Sequence, residues 1–112
     1  MLQSLYNYTA HVKKVVDGDT IVVDIDLGFS ISLNNQHLRL ARINTPELKG
    51  STKEAGEAAR EALTAKLLDR SVRIKTHKVE KDKYGRVLAE VFIEDECVND
   101  WLLTEGFAVP YE

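Results

Sequence analysis

Along the N-terminal third of the chain, apolar and polar positions alternate with a period of two. Residues 6–16 read as a strand with imperfect alternation. Residues 20–27 read as a cleaner one: Ile21, Val23, Ile25 and Leu27 share one face, while Asp24 and Asp26 point the other way. Residues 28–36 form a polar excursion, predicted to complete a hairpin with Asn34-Asn35 at its tip. Alternation returns in "HLRLARI", residues 37–43. The period then changes. "STKEAGEAAREALTAKLL" opens on a capping-box pattern, Ser51 with Glu54, and places Ala55, Ala58, Ala59, Ala62, Leu63 and Leu67 at helical spacing. Its small-residue face predicts close approach to a sheet or barrel, and Gly56 weakens it slightly. Residues 72–77 and 87–93 return to period two around the charged loop "KVEKDKYGR". Residues 98–105 form a short helix that Gly106 stops as a C′ residue.

The order is thus three strands, a helix, two strands and a helix. A mainly β fold follows, in which a five-stranded Greek-key barrel of the oligonucleotide/oligosaccharide-binding (OB) type carries two α-helices. A ferredoxin-like sheet fits less well, because it places a helix after the first strand. The 112 residues suit one domain spanning 1–112. There is no internal repeat, low-complexity tract or linker.

Composition narrows the function classes. Hydrophobic residues at 44% and charged residues at 29% describe an ordinary globular domain. No apolar run approaches the roughly 20 residues that span a bilayer. The N-terminus lacks the basic and apolar regions of a secretory signal, so a cytoplasmic location and no membrane partner are expected; a mature secreted form would also lack such a signal. Cys97 is the single cysteine, which excludes an internal disulfide and a multi-thiolate zinc site; a small buried apolar role is expected for it. A net charge of -3 argues mildly against a high-affinity duplex binder, but it allows a locally positive site.

Seven residues stand out chemically: Asp17, Asp19, Arg39, Asn44, Thr45, Glu47 and Arg86. Singly, each has an ordinary reading. Asp-Gly is a hairpin turn, arginines in strands face solvent, and Pro-Glu begins many loops. As a set they match what phosphodiester hydrolysis needs. Oxygen ligands hold a hard cation that polarises the phosphate. A carboxylate activates a water. Planar guanidinium groups stabilise the charge that develops in the transition state. Pro46 makes a stiff mount for Glu47.

Four ordered motifs, "VVDGDT", "LRLARINTPE", "DKYGR" leading into "VLAEVF", and "VNDWLLTEGFA", give the chain a resemblance to the staphylococcal (micrococcal) nuclease-like family, the thermonucleases. It covers residues 10–109. The resemblance implies an OB-fold barrel, calcium-dependent cleavage of DNA or RNA, and a single-stranded nucleic acid substrate. By position, it implies that Asp19 and the Thr45 carbonyl ligate the metal and that Asp17 lies by its water shell. It further implies that Arg39 and Arg86 clamp the phosphate, that Glu47 is the general base, and that Lys83 and Tyr84 edge the nucleotide pocket.

Asn44 departs from the pattern. The family usually has an aspartate there that completes the metal site. Asn keeps a carbonyl ligand and loses a charge, so calcium binding should weaken by one to two orders of magnitude, about 1.4–2.8 kcal/mol. Family members also continue into a further C-terminal helix, so a smaller core and a partner-covered surface are expected here. Tyr111 is not given the role of the family's pocket tyrosine, and His11, His37 and His77 are given none. The alternative to a nuclease is a non-catalytic nucleic-acid or protein-binding module of the same fold. Oligomeric state is not legible in the sequence.

Overall fold

The computed structural model describes residues 6–76 and 85–111. Eight strands and two helices follow in the order β1 (Asn7–Asp17), β2 (Thr20–Gly28), β3 (Ile31–Leu40), β4 (Ile43–Asn44), α1 (Lys53–Leu67), β5 (Ser71–Lys75), β6 (Val87–Ile93), β7 (Glu96–Cys97), α2 (Val98–Thr104) and β8 (Val109–Pro110). The hydrogen-bonded order β3-β2-β1-β5-β6 is closed by a parallel pairing of β3 with β6, which makes a five-stranded barrel. That is the mainly β, two-helix OB architecture the periodicity predicts. Among the described residues no helix is long and apolar enough to cross a membrane.

The core lies inside the barrel and under α1. Val12, Ile21, Val23, Leu38, Leu40, Ile74 and Val91 fill it from the strands, and Leu63 and Leu67 close it from the helix. Burying each such side chain is worth about 1.5–3 kcal/mol. The buried stripe of α1 is narrower than its alanines suggested. Gly56, Ala59, Leu63 and Leu67 are inside, whereas Ala55 and Ala58 face solvent. The predicted capping box does not form either. A 3₁₀ turn, Gly50–Thr52, precedes α1, and Thr52 rather than Ser51 is its N-cap. The Thr52 hydroxyl donates to the carbonyls of Glu47 and Lys49, at 2.8 and 3.0 Å. It therefore fastens the loop instead of the helix end.

The largest departure is the β2–β3 hairpin. Its tip is Phe29-Ser30, not Asn34-Asn35. Gly28 pairs with Ile31, and the two tip residues both have left-handed φ, 56° and 63°. Positive φ at both central residues is the type I′ geometry that suits the strand twist, here without the usual Asn-Gly signature. Asn34-Asn35 is a bulge inside β3, where the register slips opposite Asp24. Because β2 and β3 outrun the barrel, Leu27 is half-exposed instead of sharing the core with Ile25. The predicted strand 37–43 is in fact the end of β3, a turn at Ala41-Arg42, and β4. His77, placed in the fourth strand by sequence, lies outside the described residues. Cys97 is half-buried rather than in the core, and burial pushes its thiol pKa up.

Asn99 on α2 ties this region together. It is fully buried, accepts from the Val91 N–H at 3.0 Å, and donates to the carbonyls of Ala41 and Ala89. That amide helps to hold the turn after β3, and hence the start of β4, together with the Ala41 N–H on the Ala89 carbonyl and the Tyr111 N–H on the Arg42 carbonyl. Arg42 pairs on the surface with Glu90 and Asp100, so its charge is structural.

Candidate active site

β1 ends at Asp17 and β2 starts at Thr20, so the two-residue connection Gly18-Asp19 is pressed between the strands and α1. A Cβ on Gly18 would lie 2.8 Å from both the Ala59 Cβ and the Thr45 Oγ1. Close packing, not a left-handed backbone, demands glycine there. Gly56 performs the same service for the opposite wall. A Cβ on it would meet the Glu47 carbonyl oxygen at 2.6 Å and the Pro46 carbonyl oxygen at 2.9 Å. The helix is thereby laid directly on the Thr45-Pro46-Glu47 segment. Sequence reading saw in Gly56 only a weakened helix; a lone glycine within an alanine-rich stripe was the available signal.

Asp19 is the hub. Its Oδ2 accepts from the Thr45 N–H at 3.1 Å and faces the Arg39 Nη2 at 3.3 Å. Its Oδ1 lies 3.3 Å from the Thr20 hydroxyl. Asp17 Oδ1 in turn accepts from the Asp19 N–H at 3.1 Å. Asp19, Arg39 and Thr45 are almost wholly buried, 7%, 7% and 6% exposed. Arg39 donates from Nη1 to the Leu40 carbonyl at 2.7 Å and from Nη2 to the Asn44 Oδ1 at 3.2 Å. Arg86 Nη1 donates to the Thr20 hydroxyl at 2.9 Å. Thr20 therefore links the second guanidinium to the hub, a role that sequence reading did not assign to it. Tyr111, also left without a role, stacks its ring under the Arg39 guanidinium, 5.8 Å from the ring centroid.

The two carboxylates are electrostatically unlike. Burial, the hydrogen bond with Asp19 and that residue's negative charge push Asp17 up to about 6. Burial also opposes the charge on Asp19, but the hydrogen bond to Asp17, the Arg39 charge and the Thr45 N–H outweigh it. They hold Asp19 below the ordinary carboxylate range.

Asp17, Asp19, Arg39, Asn44, Thr45 and Arg86, predicted from three separate stretches, thus meet in one connected network. Glu47 is at its rim. Its carboxylate is about three-quarters exposed and has Lys49 at 4.0 Å. Lys83 and Tyr84 lie outside the described residues. Among the described residues no three His, Cys, Asp or Glu side chains gather as a metal cluster. The donor set still suits a hard cation. Asp19 Oδ2, from the β1–β2 turn, and Asn44 Oδ1, from β4, both lie within 3.3 Å of the Arg39 Nη2, so two hard oxygen donors of the kind calcium takes are held close together, here on the guanidinium.

Comparison with known proteins agrees with this geometry. The family described as staphylococcal nuclease homologue matches residues 37–112. A thermonuclease of Staphylococcus hyicus is 37% identical over 110 residues, 96% of this chain and 62% of that protein. A thermonuclease of Staphylococcus intermedius is 39% identical over 100 residues, 87% of this chain and 56% of that protein. A probable endonuclease of Aspergillus terreus is 45% identical over 88 residues, 68% of this chain and 29% of that protein. The chain therefore spans about three-fifths of the length of the two staphylococcal relatives. With its barrel, its two helices and this match over most of its residues, the chain belongs to the staphylococcal nuclease homologue family.

Proposed function

We propose that the chain is a metal-dependent nuclease that hydrolyses phosphodiester bonds in DNA or RNA, with calcium as the cation. The observation that carries this reading is the pair of guanidinium groups at the Asp17-Gly18-Asp19 turn: Arg39 is paired directly with Asp19, and Arg86 is tethered to it through Thr20. Two planar forks beside two carboxylates have little use in a packed barrel. They have a direct one around a phosphate.

Asp19, the Asn44 side-chain oxygen and the Thr45 carbonyl would hold the cation, with Asp17 beside its water shell. When bound, calcium would polarise the phosphate as a Lewis acid. Arg39 is anchored through Nη1 on the Leu40 carbonyl, and its Nη2, which shares Asp19 and Asn44 with the cation site, would stabilise developing negative charge. Glu47, whose carboxylate is exposed, would be the general base that takes a proton from an entering water. Pro46, Thr52 and Gly56 hold its backbone still. Asn44 in place of a carboxylate weakens the cation site and attenuates the activity.

Asn44 and the exposed Glu47 also favour a second reading, a nucleic-acid-binding module without catalysis. One experiment separates the two. The nuclease reading expects a single-stranded oligonucleotide to be cut in calcium and spared in chelator, with Glu47→Ser lowering the rate by roughly 10²–10⁴-fold. Salt-sensitive binding with no cleavage in any divalent metal would establish the binder instead. Asn44→Asp should tighten calcium binding by calorimetry.

A further inference from the structure

Arg86 stands between two spaces. On one side is the network around Asp19. On the other is a cleft of about 650 Å³, walled by Asp17, Thr20 and Arg86 and by three consecutive residues of β3, Asn35, Gln36 and His37. Its floor includes Val16 and Val87. A regular strand presents alternate residues to one side. Here three in a row reach the same cleft, beside the Asn34-Asn35 bulge. Asn35 takes left-handed φ, 57°, and its N–H is fixed on the Asp24 carboxylate at 2.9 Å. Bulges of this kind re-aim side chains next to sites.

The cleft's chemistry is directional. His37 pairs with Val22 and Arg39 with Thr20, so the imidazole lies on the same strand face as the buried arginine, two residues or about 7 Å along. That is close to the reach from one phosphate to the next in an extended single strand. Asn35 Oδ1 is engaged by Lys13 Nζ at 2.9 Å, which leaves its amide hydrogens on offer. Gln36 donates its amide to the Asn34 carbonyl at 3.0 Å, which leaves its oxygen as an acceptor. A donor and an acceptor side by side, over an aliphatic floor, match the edge and face of an unstacked base. The volume is that of a small-molecule site. Asp17 repels a phosphate at its own end and so favours placement between Arg86 and His37.

We propose that this cleft is a nucleoside subsite for single-stranded nucleic acid. The nucleotide next to the phosphate held by Arg39 and Arg86 lies in it. Its base rests on Val16 and Val87 against the Asn35 and Gln36 amides, and its far phosphate contacts His37. The proposal rests on the nuclease reading for its direction, and it gives His37 a substrate contact that the sequence did not suggest.

The test is fluorescence anisotropy with a labelled single-stranded hexanucleotide carrying uncleavable phosphorothioate linkages, in calcium, with a dinucleotide and a hexamer duplex alongside. The wild-type protein should prefer the hexamer over the dinucleotide by at least tenfold, and the single strand over the duplex. In Asn35→Gly/His37→Ala, where glycine keeps the left-handed backbone, hexamer affinity should fall 5–20-fold and the preference for length should shrink, with Tm held. Unchanged hexamer affinity with Tm held overturns the subsite, even if the protein cuts oligonucleotides normally. Equal binding of duplex and single strand overturns it as well. A protein that binds the hexamer through His37 but never cuts an unmodified one in calcium refutes the nuclease reading and leaves the subsite standing.

Discussion

The strand β2 has a similar turn at each end. At its start, Asp17 Oδ1 accepts from the N–H two residues on, that of Asp19, at 3.1 Å. At its finish, Asp26 Oδ1 accepts from the Gly28 N–H at 2.8 Å. Both are Asx turns built from aspartate and glycine. One becomes the centre of a buried polar network, with Asp19 and Arg39 each 7% exposed. The other leads to a bare apolar tip, with Phe29 98% exposed and Ile31 56%. Local turn chemistry therefore does not make the site. The difference is what lies over the turn: α1 through Ala59, the Thr45 segment, and the arginine that β3 brings alongside. Nothing among the described residues plays that part at the tip.

The comparison breaks most severely if Arg39 is removed. Arg39→Leu leaves the Asp19 carboxylate buried without its cation. Stranding one partner of a buried pair costs about 3–5 kcal/mol. Denaturant unfolding should show a loss of that order, with cleavage abolished. A loss under 1 kcal/mol would mean that Asp19 is solvated and that the network does not hold the turn.

Glycine at the two turns gives the next contrast. Gly18→Ala drives a methyl group against Ala59 and Thr45, contacts of 2.8 Å, and should cost about 2–3 kcal/mol by overpacking. Gly28→Ala meets nothing within 4 Å, but its φ is +81°, so only about 1–2 kcal/mol of backbone strain is expected. Equal costs, or a larger one at Gly28, would place the controlling constraint in the backbone and not in packing.

A finer contrast is in pH. The Asp17 pKa rises from 3.8 to about 6 on folding, so the folded state holds that proton more tightly than the unfolded chain. Its contribution favours folding below pH 4 and is lost as pH climbs through 6. Asp19, with a lowered pKa, contributes in the opposite sense, and that contribution is lost as pH falls. In chelator, Asp17→Asn should therefore have a higher Tm than wild type at pH 7, the gap closing towards pH 4. A flat Asp17→Asn difference between pH 4 and 7 would remove the account of Asp17 as a carboxyl raised by burial and by Asp19.

How much of this was legible in the chain follows the same division. Strand β2, both helices and the barrel were readable because the apolar periods are long enough to count, and β1 was readable despite its imperfect alternation. Asp17, Asp19, Arg39, Asn44, Thr45 and Arg86 were found because charged and amide groups interrupt those periods in a recognised order. The hairpin tip was misplaced because Phe29-Ser30 lacks turn composition, whereas Asn34-Asn35 has it and spends it on a bulge. Thr20, Gly56 and Tyr111 were given no roles in the site because their importance lies in which neighbour they touch. A glycine that admits a carbonyl at 2.6 Å looks the same in sequence as one that merely loosens a helix.

The smallest expected effect is at the tip itself. Phe29 is almost wholly in water, and its side chain contributes little contact that folding creates. Phe29→Ser should shift stability by no more than about 0.5 kcal/mol, as surface substitutions do, and should leave oligonucleotide cleavage unchanged. The same substitution logic applied nine or ten residues earlier, at Thr20 or Asp19, would remove a hydrogen bond or ion pair on which an arginine depends. A loss above 1 kcal/mol for Phe29→Ser, read as a fall in urea midpoint at constant m, would show that the ring is covered in solution. The two ends of β2 would then differ in what covers them, not in whether they are covered.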